Sequence, residues 1–161
     1  MALVLIKEDG TGRADANSYA SAADGDAYHE GHLYASAWAG ASSAQKEAAL
    51  VMATRLIDAS YQFGGWKKSD AQALQWPRER ALDPDRGGVR LSVLESTVGP
   101  YFDSDSVPAA LVNATCELAR ELLKADRTVD PGGQGMKQLN LVGSLGITFD
   151  AKNPVPVLPA T

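Results

Sequence analysis

Two histidines and two carboxylates lie within about one helical turn near the start of the chain. His29 and His32 are three residues apart, with Asp26 and Glu30 beside them. Imidazole and carboxylate groups at helical spacing are common zinc ligands. However, the zinc-protease pattern places its histidines four residues apart, and Gly31 weakens a helix at this point. The pattern therefore favours a solvated helix end over a metal site.

The rest of the chain does not match the patterns of a catalytic nucleophile, a phosphate-binding loop or a calcium-binding loop. The single cysteine, Cys116, falls on an apolar helical stretch, where a small buried hydrophobe is the default interpretation. The glycine runs at 64–65 and 132–135 match neither the P-loop nor the dinucleotide fingerprint. Residues 83–88 lack the later bidentate glutamate of a calcium loop. We therefore predict that the protein is not an enzyme and has no catalytic residue, cofactor or metal ligand.

One stretch of the chain interleaves cations with tryptophans. Trp66 and Trp76 are accompanied by six basic residues, namely Lys67, Lys68, Arg78, Arg80, Arg86 and Arg90. This combination is typical of single-strand nucleic-acid binding, in which bases stack on aromatic rings and cations neutralise the backbone. Asp70, Glu79, Asp83 and Asp85 dilute the charge. The alternative is structural: Trp66, Trp76 and Arg78 anchor a long loop on the core, and the other cations stay in solvent.

Length and charge limit the function classes. The chain has 161 residues, 45% of them hydrophobic and 22% charged, as expected for one soluble domain. Fifteen basic residues stand against twenty acidic ones, and the net charge of −5 argues against a duplex-DNA-binding protein. One cysteine excludes an intramolecular disulfide. Because no signal peptide or run of about 20 apolar residues is evident, we expect synthesis in the cytoplasm.

These patterns predict a mainly α protein: a small helical bundle with a long irregular loop, a C-terminal β-hairpin and an extended tail. We assign residues 1–126 to a helical domain with an N-terminal arm, residues 1–17, and an inserted loop, residues 64–105. The first helix is predicted over 19–30 with Ser18 as its N-cap. The next is capped by Ser42 or Ser43, of which Ser42 has the capping-box spacing to Gln45, and the last begins near Ser106.

The carboxyl-terminal part, residues 127–161, differs in character. A glycine-rich linker precedes a predicted hairpin over 137–142 and 145–150, whose apolar side chains alternate along one face: Leu139, Leu141, Leu145, Ile147 and Phe149. An isolated hairpin is marginal in water, so we expect this face to contact another subunit. The last nine residues must be extended and fit the groove of a partner chain, with contacts from Pro154, Val155, Pro156, Val157, Leu158 and Pro159.

Short motifs along nearly the whole chain carry a family resemblance. The most specific is Gln72-Ala73-Leu74-Gln75-Trp76-Pro77-Arg78; others are Asp9-Gly10-Thr11-Gly12, Ala16-Asn17-Ser18-Tyr19, Gly65-Trp66-Lys67 and Val107-Pro108-Ala109-Ala110-Leu111. Together they resemble the small neck proteins of tailed bacteriophages. Similar sequences are labelled either head–tail connector (adaptor) or DnaT-like single-stranded-DNA-binding protein.

The connector resemblance implies a structural role in the virion. It implies a homo-oligomeric ring of twelve subunits under the portal protein, which extends the DNA channel and joins the head to a further neck or tail protein. The tail would then bind the portal, and the acidic subunit would let DNA pass without specific binding. No membrane is involved. The alternative is a DnaT-like single-stranded-DNA-binding protein.

Overall fold

The computed structural model describes residues 3–85, 101–127, 138–141 and 145–148. Within these residues the fold is mainly helical, as predicted, with two antiparallel two-stranded ladders. The elements are α1 (Ala22–His29), α2 (Ser36–Ala39), α3 (Ser43–Ser60), β1 (Trp66–Lys67), β2 (Arg78–Glu79), α4 (Ala109–Lys124), β3 (Gln138–Leu141) and β4 (Leu145–Thr148). Two compact units result, Met1–Ala125 and Asp126–Ala160.

Local capping determines where the first long helices begin. The predicted capping box of α3 is confirmed, because Ser42 and Gln45 satisfy each other's backbone N–H groups. The predicted start of α1 is wrong by three residues. Ser21, with Asp24, forms the capping box there, whereas the Ser18 hydroxyl donates to the carbonyl of Ala20.

Helix α4 packs its apolar residues against the core, and its buried side also contains polar residues. Leu111 and Ala119 are buried together with Thr115 and Arg120, whereas Ala114 is exposed. Thr115 is tolerated inside because its hydroxyl donates to the carbonyl of Leu111 one turn earlier. Arg120 is tolerated because its guanidinium pairs with Glu117 and Glu121 and also donates to the carbonyl of Tyr34. Internal hydrogen bonds and ion pairs therefore allow polar residues within the buried side of the helix.

Two buried clusters form the core of the helical unit. One surrounds Trp76 and Tyr19, and the other surrounds Trp38 and Leu50. Leu118 on α4 packs against both clusters. The α3–α4 interface is lined by small side chains, which let the helices approach closely: Ala49, Ala53, Cys116 and Ala119.

The N-terminal arm is more ordered internally than its turn-rich sequence predicts. Glu8 is 1% exposed, and its carboxylate accepts hydrogen bonds from the backbone N–H groups of Gly10, Gly12 and Arg13. The side chain of Asn17 bonds to the strand-like run before it, donating to the carbonyl of Val4. The buried carboxylate thus organises the whole turn.

The predicted irregular loop contains a short ladder. Strands β1 and β2 pair antiparallel, with Trp66 opposite Glu79 and Lys67 opposite Arg78. Residues 69–74 form turns and bends and no helix. The reason is that the Gln72 side chain bonds to backbone groups of the loop itself, which competes with helical pairing. Residues 86–100 lie outside the described residues.

The predicted hairpin is present as β3 and β4, paired antiparallel with Leu139 opposite Ile147. The inter-subunit role of its apolar side chains stays a prediction. Phe149 and the partner-binding tail, Pro154, Val155, Pro156, Val157, Leu158 and Pro159, lie outside the described residues.

Candidate nucleic-acid interface

Trp66 is the exposed aromatic residue of the predicted basic and aromatic stretch. Its side chain is 51% exposed, so it does not lie in the core as the structural alternative expects. Its indole Nε1 donates to a carboxylate oxygen of Glu79 at 2.9 Å. The guanidinium carbon of Arg80 lies 5.4 Å from the centre of the Trp66 ring, within cation–π range. The ring is therefore oriented from two sides while remaining accessible to solvent.

The backbone around Trp66 requires a glycine. Gly65 has φ +70°, and a Cβ there would lie 2.1 Å from the carbonyl oxygen of Glu79. This close approach allows β1 and β2 to pair immediately after the turn. Arg80 also has a positive φ, of 53°, which turns the chain directly after β2. Both turns place the Arg80 head next to the indole of Trp66.

Trp76, in contrast, is a core residue. It is 4% exposed and packs edge-on between Phe63 and Phe102, with ring-centre distances of 6.0 and 5.5 Å. Its peptide bond to Pro77 is cis. A base cannot stack on a ring that is enclosed in this way. Trp76 therefore takes the anchoring role that the structural alternative assigns to it.

Arg78 also points inward. It is 8% exposed, and its guanidinium donates to the carbonyl oxygens of Gly64 at 2.7 Å, Gly65 at 2.8 Å and Gln75 at 3.1 Å. These bonds fix the turn that carries Trp66. The charge of Arg78 is thereby committed to the loop backbone and is not presented to a ligand.

The two lysines next to Trp66 are partly engaged within the fold. Lys68 bonds to the carbonyl of Gly10 at 3.2 Å and to the carboxylate of Asp105. Lys67 lies 3.5 Å from the carbonyl of Gln72. The Lys68–Asp105 ion pair is weak because it is largely exposed, and the 3.5 Å contact of Lys67 is at the limit of a hydrogen bond, so both ammonium groups can exchange these partners for another anion. Arg86 and Arg90 lie outside the described residues.

A buried polar cluster holds the segment between Gln72 and Trp76. The Tyr19 hydroxyl donates to Asp58 at 2.5 Å and accepts from the backbone N–H groups of Gln75 and Trp76. Burial raises the pKa of Asp58, and burial next to Asp58 raises the pKa of Tyr19. No local sequence pattern identifies this cluster, because its members are up to 57 positions apart.

The histidine pair does not form a metal centre within the described residues, where no group of three or more potential ligands occurs. His29 is 4% exposed, and its Nε2 lies 3.1 Å from the carbonyl oxygen of Cys116. Its pKa is lowered by burial. Burial also raises the pKa of the Cys116 thiol to about 11, as expected for a packing residue and not a nucleophile.

No helix in the described part of the chain is long and apolar enough to span a membrane. No curated protein matches the chain, and no solved structure matches it. A family model described as "Putative DnaT-like ssDNA binding protein" matches residues 1–159. Because that match covers nearly the whole sequence, the chain belongs to this DnaT-like family.

Proposed function

We propose that this protein binds single-stranded DNA, with Trp66 as the residue on which a base stacks. The observation that carries the proposal is the half-exposed indole of Trp66 with the Arg80 guanidinium 5.4 Å from its centre. Base stacking on an aromatic side chain contributes about 1–3 kcal/mol and tolerates any base. The family description supports the same function.

The surrounding charges make this a weak, strand-selective site. Arg80, Lys67 and Lys68 supply positive charge beside the ring, whereas the net charge of the chain is −5. A small cationic patch on an acidic protein neutralises few phosphates, so the salt dependence should be shallow. Duplex DNA keeps its bases stacked inside the helix and offers Trp66 no open base face. We therefore infer a preference for single strands.

The proposal is tested by fluorescence anisotropy with a labelled oligothymidylate at low and moderate salt. Trp66→Ala should weaken binding by about 5- to 150-fold, the equivalent of one stacked base. Arg80→Gln should weaken binding less and reduce the salt slope. Tyr34→Ala is a matched control because Tyr34 is an exposed aromatic residue, 70% accessible, outside the basic stretch. Equal binding by the Trp66→Ala and Tyr34→Ala variants would overturn the proposal.

A second candidate, the phage head–tail connector, is favoured by a different observation. Strands β3 and β4 form a two-stranded hairpin in the unit Asp126–Ala160. A hairpin of this size is marginal alone, so a partner surface would stabilise it. The proline-rich sequence of residues 153–161 adds a segment suited to a partner's groove. On this hypothesis the chain assembles as a ring with portal protein.

Co-assembly separates the two candidates. The connector hypothesis expects rings of the full chain with portal protein by electron microscopy, lost on deletion of residues 153–161 and unaffected by Trp66→Ala. The single-strand hypothesis expects oligonucleotide binding that Trp66→Ala weakens and that deletion of residues 153–161 leaves unchanged. If the protein binds portal protein but no oligonucleotide, the connector hypothesis replaces the single-strand hypothesis.

A further inference from the structure

Glu79 lies directly opposite Trp66 in the ladder of β1 and β2. Residues paired in this way project from the same face of an antiparallel ladder. That face is open to solvent, since Trp66 is 51% exposed and Glu79 is exposed as well. The next pair, Lys67 with Arg78, belongs to the opposite face, where Arg78 is buried. The solvent-facing side of the ladder therefore presents an aromatic ring and a carboxylate together.

The Glu79 carboxylate keeps acceptor capacity after it has bonded to the indole. Its Oε2 accepts from Nε1 of Trp66 at 2.9 Å, and its Oε1 accepts no hydrogen bond from the described residues. An ionised carboxylate has about four lone-pair sites, so most of them remain for a ligand. Because Nε1 lies at the edge of the indole, these free acceptor sites lie where the edge of a stacked base would come.

Arg80 adds a positive charge without neutralising Glu79. Its guanidinium lies over the Trp66 ring, 5.4 Å from the ring centre, and no ion pair joins it to Glu79 among the described residues. The positive φ of Arg80, 53°, turns the chain at this point. The site thus offers a ligand three separate features: a ring face, a cation above the ring and an acceptor at its edge.

Among the four DNA bases, guanine has the Watson–Crick edge that best matches a carboxylate. Its N1–H and its 2-amino group are adjacent donors, and the two oxygens of a carboxylate can accept both. Cytosine and adenine place a ring-nitrogen acceptor next to their amino group, and thymine places a carbonyl on each side of its N3–H. Those acceptors repel a carboxylate, so the other three bases make a poorer contact.

We propose that this site prefers a guanine in the single strand, with Trp66 stacking the base and Glu79 accepting from N1–H and the 2-amino group. The inference rests on the proposed single-strand binding and adds a base preference to it. Stacking alone tolerates every base, so the preference arises from Glu79. Without guanine, the same carboxylate only repels the phosphates of the strand.

The test is a titration of the full-length ¹⁵N-labelled protein with three DNA pentamers. Their central base is guanine, hypoxanthine or thymine, with two thymidines on each side; hypoxanthine keeps the fused rings and the N1–H but lacks the 2-amino group. The indole N–H signal of Trp66, assigned by its loss in Trp66→Phe, reports binding at the site. We expect the guanine pentamer to bind about tenfold more tightly than the hypoxanthine pentamer, the value of one hydrogen bond to a charged group.

Glu79→Gln separates base recognition from orientation of the indole. Glutamine keeps a carbonyl oxygen that can accept from Nε1 of Trp66, but its amide N–H₂ cannot accept from the second donor of guanine. The guanine and hypoxanthine pentamers should then bind within about twofold of each other, and the thymine pentamer should bind no more weakly than to the wild type. Glu30→Gln is the matched control, because it removes the same charge from an exposed position outside the basic stretch and should keep the preference.

The outcomes distinguish this inference from the function on which it rests. Equal affinity of the wild type for the guanine and hypoxanthine pentamers would overturn the guanine preference and leave single-strand binding in place. A preference that survives in Glu79→Gln, or that is also lost in Glu30→Gln, would overturn the role of Glu79. If no pentamer shifts the Trp66 signal, the proposed function fails and the guanine preference fails with it.

Discussion

Tyr19 joins three segments of the helical unit through a single hydroxyl. It is fully buried, donates to Asp58 on α3 and accepts from two backbone N–H groups of the Gln75–Trp76 turn. Asp58 accepts from the Gln75 N–H as well, at 3.1 Å. Because this turn precedes Trp76 and Arg78, the hydroxyl indirectly supports the loop that presents Trp66.

Tyr19→Phe should therefore destabilise the protein by about 1–3 kcal/mol. The change removes no apolar volume but leaves the Trp76 N–H and one oxygen of Asp58 without their partner. The measurement is the free energy of unfolding from urea titration. Tyr61→Phe is the control, since its hydroxyl is on a side chain that is 64% exposed, and it should change stability by less than about 0.5 kcal/mol. Equal stabilities of the two variants would contradict this role.

The same hydroxyl predicts a pH dependence at the alkaline end. Burial raises the pKa of Tyr19 above its unfolded value near 10, and the nearby Asp58 raises it further. The unfolded chain therefore loses this proton first, and the stability that the neutral hydroxyl contributes is present below about pH 10 and decreases above it. The difference in unfolding free energy between wild type and Tyr19→Phe should shrink from pH 9 to pH 11. A constant difference would contradict the assignment.

At the scale of elements, α1 and α2 meet at a glycine. A Cβ at Gly25 would lie 2.3 Å from a ring carbon of Trp38, far inside van der Waals contact. Gly25 is a poor helix former in the middle of α1, but its lack of a side chain allows Trp38 to pack there. Gly31, just beyond the same helix, has open space around it.

The substitutions Gly25→Ala and Gly31→Ala should therefore have different effects on the stability of the protein. Alanine favours a helix by about 1 kcal/mol over glycine. At position 25 the clash with Trp38 should outweigh that gain and destabilise the protein by about 1–3 kcal/mol. At position 31 the change should be neutral within about 0.5 kcal/mol or slightly stabilising. Thermal unfolding by circular dichroism measures both, and a stabilised Gly25→Ala variant would refute the packing argument.

Local signals explain which elements could be predicted from the sequence. The α3 start was predictable because Ser42 and Gln45 satisfy each other within one turn. The α1 start was not, because Ser18 and Ser21 are both good caps and contacts outside the helix decide between them: the Asp24 of the true cap also pairs with Lys7 at 2.7 Å. Residues far apart in sequence thus set the boundary.

The candidate site could be predicted only in part for the same reason. Trp66 and Trp76 are indistinguishable as residue types, yet Trp76 enters the core between Phe63 and Phe102, whereas Trp66 remains half exposed. Phe102, which contacts the Trp76 ring, lies 26 positions further along the chain. Sequence spacing identifies the stretch but not which ring faces solvent, since that depends on these distant contacts.

At the scale of the whole molecule, the net charge opposes the DNA binding that we propose for Trp66. The long-range field of a chain with net charge −5 repels nucleic acid. On the proposed function, attraction at Trp66 would arise at contact distance, through stacking and the neighbouring cations. Binding that depends on contact alone has slow association and modest affinity. A ring of subunits would raise the avidity, because each further contact along one strand is then intramolecular.

Deletion of residues 153–161 tests whether the tail contributes to the folding of its own chain or serves only to bind a partner. The two buried clusters of the helical unit are drawn from residues between Leu5 and Leu123, so the truncated chain should unfold at the same temperature as the full chain. Leu50→Ala is the reference for real core damage: Leu50 is fully buried, and its truncation should cost about 2–5 kcal/mol. Calorimetry compares the three proteins. If the deletion lowers the melting temperature as much as Leu50→Ala does, the tail contributes to folding of its own chain. A role reserved for a partner would then be contradicted.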